Sequence, residues 1–101
     1  MERGGFVYLM TNINNTVIYV GVTSRLHERV YDHKTRKYPQ SFTARYNCHK
    51  LVYFEFFDSI DEAIIREKQL KAGSRIKKEM LINKANPAWD DLYDQIKDFL
   101  D

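Results

Sequence analysis

Phe6-Val7-Tyr8-Leu9-Met10, Thr11-Asn12-Ile13-Asn14-Asn15 and Thr16-Val17-Ile18-Tyr19-Val20-Gly21-Val22 follow one another near the start of a 101-residue chain. The first and third runs are rich in β-branched and aromatic residues. The middle run is a cluster of turn formers. That succession predicts a β-hairpin. Side chains alternate faces along a strand. In a hairpin with an even-length loop, paired positions sum to an odd number. With Asn14-Asn15 at the centre, Tyr8 falls opposite Gly21, and Tyr8, Tyr19 and Gly21 share a face. A glycine opposite a tyrosine leaves room for the ring or for something beside it. Two phenols on one face read either as core packing with satisfied hydroxyls or as a catalytic pair.

Beyond the hairpin, Ser24 is placed to cap a helix over about Arg25 to Lys37, with Pro39 past its end. Residues 38–50 read as irregular, basic and aromatic. Leu51-Val52-Tyr53-Phe54-Glu55-Phe56-Phe57 is apolar almost throughout, which predicts a strand covered on both faces. Ser59-Ile60-Asp61-Glu62 has the spacing of a capping box, and the helix it opens should stop at Gly73. A shorter helix is expected over about Arg75 to Ile82, and Asn86-Pro87 ends it. A last amphipathic helix, about 90–100, carries Leu92, Tyr93, Ile96, Phe99 and Leu100 on one side. The expected order is β-β-α-β-α-α-α, an α+β fold with a small antiparallel sheet.

At 12.1 kDa the chain is expected to form one domain, residues 1–101, with a core over about 5–92. Hydrophobic residues make up 44% and charged residues 30%, which excludes a disordered chain. No apolar run approaches the ~20 residues needed to span a bilayer. The lone Cys48 excludes an internal disulfide and a cysteine zinc cluster, and with no secretory leader it points to a cytoplasmic, reducing setting. Net charge is only +2, but it is unevenly spread. Residues 90–101 carry five acids against one base, −4, and residues 1–89 carry 15 bases against 9 acids, +6. A basic body fits a polyanionic partner, and equally a plain solvated surface.

Arg25, Arg29 and His33 recur at steps of four, so a helix places them in one cationic stripe. In the second long helix Ile60, Ala63, Ile64 and Leu70 define an apolar arc, and Glu67 falls inside it. A carboxylate facing a core is costly unless paired, hydrogen-bonded or bound to metal. Either the face opens at Glu67 or the acid pairs for structure, or it is a metal ligand or general base on a rigid helix. There is no Gly-rich phosphate loop, no paired-histidine zinc motif and no nucleophile elbow. Cys48 and His49 are adjacent, so in a strand they would point apart. A small buried thiol is the better reading.

Together these residues resemble the GIY-YIG nuclease superfamily. Phe6-Val7-Tyr8 and Tyr19-Val20-Gly21 look like its paired motifs, with Phe6-Val7 in place of Gly-Ile. Arg29 stands eight residues past Gly21, and His33 four further on, as the family pattern asks. Glu67, in Arg66-Glu67-Lys68-Gln69-Leu70-Lys71, matches the family's metal-binding glutamate. Asn86 is the better match to a late asparagine, and Asn83 the weaker. Tyr19-Val20-Gly21-Val22-Thr23-Ser24 and Phe42-Thr43-Ala44-Arg45-Tyr46 look most like an uncharacterised family of small stand-alone bacterial proteins.

The resemblance implies a three-stranded antiparallel sheet flanked by helices, and hydrolysis of nucleic-acid phosphodiesters, DNA before RNA, with no sequence-reading module. Glu67 would hold one Mg²⁺ or Mn²⁺, and no small-molecule cofactor or membrane partner is expected. Arg29 would neutralise transition-state charge, Tyr8 or Tyr19 would orient or deprotonate water, and His33 would share that work. Arg25, Arg36, Lys37, Arg45 and Asn86 are the expected nucleic-acid contacts. The competing readings are a nucleic-acid-binding module without catalysis, and a protein-interaction domain docking through Trp89, Tyr93 and Phe99.

Overall fold

Strand β1 (Gly5–Thr11) lies in the middle of the sheet, and almost every residue in it is buried. The computed structural model describes residues 4–98. β2 (Ile18–Thr23) and β3 (Lys50–Phe57) flank β1, both antiparallel to it, in the order β2-β1-β3. The expected hairpin register holds: Tyr8 pairs with Gly21 and Met10 with Tyr19. The loop is wider than a two-residue turn. Asn12 Oδ1 accepts from the backbone N–H of Thr16 and Val17 at 2.9 and 3.0 Å, and Asn15 adopts φ 57°. Asparagine tolerates that left-handed conformation better than most residues do.

Alternation along β1 divides the core. Val7 and Leu9 face one side, with Val20 of β2 and Val52 of β3. Onto them pack Ala63 and Leu70 of α3 (Ile60–Ala72) and Ile82 of α4 (Arg75–Ala85). Tyr8 and Met10 face the other side, with Leu51 and Cys48. They are covered by Leu26 and Val30 of α1 (Leu26–Lys34) and by Ile96 of the last helix, which is α5 once α2 (Phe42–Arg45) is counted.

Several expectations are corrected. β3 is an edge strand: only Leu51 and Val52 are buried in it, and Phe56 is exposed. The strand covered on both faces is β1. Ser24 does not cap α1. The cap residue is Arg25, whose N–H donates to Thr23 Oγ1, and the helix ends at Lys34. The segment 38–50 holds the short α2, capped by Ser41. α3 matches its expected span, with Ser59 Oγ accepting from Glu62 N. Gly73 ends α3 in an extended conformation, not a left-handed one. α4 runs three residues past Ile82, up to Asn86-Pro87.

The C-terminal helix α5 spans only Tyr93–Ile96, and the predicted positions Phe99 and Leu100 lie outside the described residues. Asp90 and Asp91 precede this helix and are not part of it. Asp91 Oδ1 accepts from the N–H of Leu51 and of Tyr93, both at 3.1 Å, and Oδ2 pairs with Lys34 of α1. One acid of the tail thus ties β3 to α1. Among the described residues, no helix is long and apolar enough to cross a membrane.

Asp91→Ala leaves the Leu51 N–H without its acceptor, a loss of about 1–3 kcal/mol for a buried donor. Asp91→Asn keeps that acceptor and should recover most of the loss, as urea unfolding midpoints of the two variants will read.

Candidate active site

The site starts from a missing side chain. A Cβ built on Gly21 would stand 2.3 Å from Tyr8 Cζ and 2.4 Å from its hydroxyl. Tyr8 therefore lies over Gly21 across the β1–β2 pair, and it is 1% exposed. Gly21 does not have a positive φ, so glycine is required here for space alone. Tyr19, two positions earlier on β2, sets its ring 6.2 Å from that of Tyr8, and it is half-buried.

α1 crosses this face and brings the lower part of its cationic stripe to the phenols. His33 Nε2 is 2.8 Å from the Tyr8 hydroxyl. Its Nδ1 is 2.7 Å from Oγ1 of Thr43, a buried residue of α2. Thr43 Oγ1 continues to Ser41 Oγ at 3.3 Å. The His33 ring packs 5.5 Å from that of Tyr19. Burial, aided by the charge of Arg29, pushes the His33 pKa down to about 4, so the imidazole is neutral at neutral pH. Burial raises Tyr8 well above the ordinary phenol range. The neighbouring Tyr19 adds to the rise, and Arg29 beside the hydroxyl opposes it. Tyr8 is thus a neutral phenol held in a fixed hydrogen bond, beside a guanidinium that also lies 5.5 Å over the ring of Tyr38.

Glu67 arrives from the opposite layer. α3 packs on the far side of the sheet from α1, and the Glu67 side chain is 14% exposed, as its place in the apolar arc predicts. Its Oε2 pairs with the exposed Lys71 at 3.1 Å, not with an arginine. Lys71, Lys78, Ile18, Tyr19, Val20 and Phe42 line an open hollow of about 330 Å³ along the outer edge of β2. Arg29 borders a different, smaller hollow with Thr23, Arg25, Glu28 and Asp32. The acid, the guanidinium and the phenols therefore do not line a common hollow. Tyr8, Tyr19, Arg29 and His33 form one cluster, and Glu67 reaches its edge by way of Lys71. Among the described residues no group of three or more His, Cys, Asp or Glu could enclose a metal. A lone carboxylate suits a hard, largely hydrated ion such as Mg²⁺ or Mn²⁺ and does not suit zinc.

The outer basic residues divide. Arg25 sits 3.6 Å from Glu28 and Lys37 3.9 Å from Asp32, both on the surface. Arg36 binds Asn47, and Arg45 lies over the Tyr46 ring at 6.0 Å. Asn86 is a correction. It is buried, Nδ2 donates to the carbonyls of Val52 and Asp90 at 3.0 and 2.9 Å, and Oδ1 accepts from Asp90 N at 3.2 Å. Its amide is used up in holding the turn after α4 to β3, so it is not available to nucleic acid. Asn83 accepts from Trp89 Nε1 at 2.6 Å. Cys48 is the buried thiol expected, its pKa pushed up to about 11 by burial. Thr43 and Phe42 were not anticipated. The available signals were Ser41, a cap residue inside a segment read as irregular, and the Phe42-Thr43-Ala44-Arg45-Tyr46 run that carries the resemblance.

His33 takes up a proton near pH 4 when folded and near 6.5 when unfolded. A depressed histidine pKa contributes stability that is complete above 6.5 and lost as pH falls towards 4. Urea midpoints should therefore show roughly 2–3 kcal/mol lost between about pH 7 and about pH 4.5 from this group. His33→Gln should flatten that part of the curve. Gly21→Ala should cost about 1–3 kcal/mol through overpacking, and should displace the Tyr8 ring signals in NMR spectra.

Comparison with known proteins shows the family of the chain. A model of the GIY-YIG catalytic domain matches residues 4–80. A UPF0213 protein of Syntrophus aciditrophicus (strain SB) is 35% identical over 82 residues, 81% of this chain and 92% of its own. A UPF0213 protein of Natronomonas pharaonis is 34% identical over 82 residues, 81% of this chain and 94% of its own. The solution NMR structure of the UPF0213 protein from Bacillus halodurans matches with a TM-score of 0.55 at 26% identity, over 87% of this chain and 92% of that one. With its two motif tyrosines on one face of β1 and β2 and its arginine and histidine on the helix that follows, this chain belongs to the GIY-YIG family, among the small UPF0213 proteins.

Proposed function

We propose that this chain is a metal-dependent nuclease that hydrolyses nucleic-acid phosphodiester bonds, DNA before RNA, with little sequence preference of its own. The observation that carries the reading is the buried Tyr8–His33 pair, which the half-buried Arg29 meets beside the half-exposed Tyr19. A core needs none of these polar groups, and apolar residues of similar volume would pack as well without desolvating an imidazole and a phenol hydroxyl.

Each residue has a distinct task. Tyr19 faces the open hollow and orients the attacking water. Lys71 and Lys78 line the same hollow and would draw a phosphate towards it. Tyr8 is too deeply buried to orient that water. Its hydroxyl, fixed by neutral His33, keeps Arg29 and Tyr19 in register. Arg29 neutralises charge developing on the phosphorane, which a pre-positioned guanidinium does at little reorganisation cost. Glu67 would hold one Mg²⁺ or Mn²⁺, whose chemistry when bound is to polarise the phosphate and stabilise the leaving oxygen. Lys71 would then pass from Glu67 to a substrate phosphate. Arg25, Lys37 and Arg45 lie on the exposed rim, where phosphate contacts fix position without reading sequence.

Cleavage of plasmid, duplex and single-stranded DNA, and of RNA, should be measured with Mn²⁺ or Mg²⁺ and with chelator. Activity should require the metal and fall at least ~100-fold in Glu67→Ala, Arg29→Ala and Tyr19→Phe. Absence of cleavage on every form, with salt-sensitive binding retained, would assign the chain to the non-catalytic binding modules instead.

A further inference from the structure

Two aromatic rings beside the site are mounted facing outward. Phe42 is 46% exposed and Tyr46 47%, and their centroids are 4.6 Å apart. Phe42 also stacks on Tyr19 at 5.8 Å, with the ring planes 28° apart. The three rings make a continuous surface running from the proposed water-orienting phenol to the outside. The support beneath them is rigid. Thr43 and Ala44 point inward and are buried, and Thr43 is bonded to His33. The Thr43 carbonyl accepts from Cys48 N at 2.8 Å, and Ser41 Oγ accepts from Ala44 N at 3.3 Å. With two residues fixed inward, Phe42 and Tyr46 must face solvent.

Cations surround this surface. Arg45 lies 6.0 Å over Tyr46. Lys71 and Lys78 line the hollow whose wall is Phe42 and Tyr19, and among the described residues no carboxylate lines it. Exposed π-faces set among lysines and arginines suit a ligand that is flat, aromatic and strung on phosphates. Duplex DNA hides its base faces in the stack. A strand with unpaired bases offers them.

We propose that Phe42 and Tyr46 are a stacking platform for an unpaired base of the nucleic-acid strand entering the site, next to the phosphate presented to Tyr19. The substrate class is then single-stranded or locally unpaired nucleic acid. The proposal builds on the nuclease reading for where the strand lies, but the binding it asserts can be measured without catalysis.

The test is fluorescence anisotropy with the full chain in chelator at one fixed salt concentration. The probes are a short oligothymidylate, an abasic strand with the same number of phosphates, and a duplex of the same length. The oligothymidylate should bind roughly tenfold more tightly than the abasic strand, the worth of about one stacked base. Phe42→Leu and Tyr46→Leu, which keep apolar bulk and lose the π-face, should each remove most of that difference and leave abasic binding unchanged. Phe42→Trp should preserve it and gain a fluorescence quenched on binding. Thermal unfolding of each variant checks that the fold is retained. Equal binding of the abasic strand and the oligothymidylate, tighter binding of the duplex, or indifference to both leucine variants would overturn the platform. Base-dependent binding without cleavage would leave the platform standing and remove the nuclease reading. Cleavage with base-independent binding would do the reverse.

Discussion

A phenol can lie flat inside one face of this sheet only because residue 21 has no side chain. The close approach of Tyr8 to Gly21 fixes where the Tyr8 hydroxyl points, and that hydroxyl fixes His33. His33 in turn holds Thr43, and Thr43 anchors α2. One hairpin pair thus sets the depth of α1 on the sheet and the position of the segment that follows it. The buried groups are costly singly, and the cost is contained because they satisfy one another. Among the described residues no buried side-chain nitrogen or oxygen lacks a partner. Removing any member leaves the others desolvated and unpaired, which costs more than the bond itself contributes.

The electrostatics follow from depth. Tyr8 and His33 are both kept uncharged by burial, and the Arg29 guanidinium beside them is only half-buried and borders an open hollow. On the other layer, Glu67 is held by a lysine whose own chain reaches solvent. An arginine in a bidentate pair, as Arg66 makes with Glu55, would lock the acid into structure. Glu55 fastens β3 to α3 through Arg66, and Glu67 pairs with one lysine of its own helix.

The hairpin register, the shared face of the two tyrosines, the span of α3 and the inward turn of Glu67 could be read from the sequence, because each follows from local periodicity or a cap. Which strand is central could not. Gly5–Thr11 and Lys50–Phe57 are both nearly apolar, and only the pairing of β1 with two partners decides between them. Asn86 was misjudged for a related reason. Nothing local shows that its amide meets a carbonyl 34 residues away on β3. α2 was missed because four residues carry too little periodicity to register, and it is held by contacts to His33 and Cys48 and not by its own propensity. The partner of Glu67 was open in the sequence; Lys71 one turn on takes it, while Arg66, on another face of the helix, binds Glu55 of β3.

A three-stranded sheet has a consequence for where chemistry can occur. With β1 central, β2 is both a site-bearing strand and an edge. Side chains from the two layers that cover opposite faces can therefore meet around β2 without passing through the core. Tyr8, His33 and Arg29 approach from the α1 layer, and Glu67, Lys71 and Lys78 from the α3–α4 layer. Tyr19 stands at the boundary between them. A wider sheet would bury that boundary. The smallness of the fold is what exposes it, and it leaves the edge of β2 lined by Tyr19 and Phe42 together with Lys71 and Lys78 from the other layer.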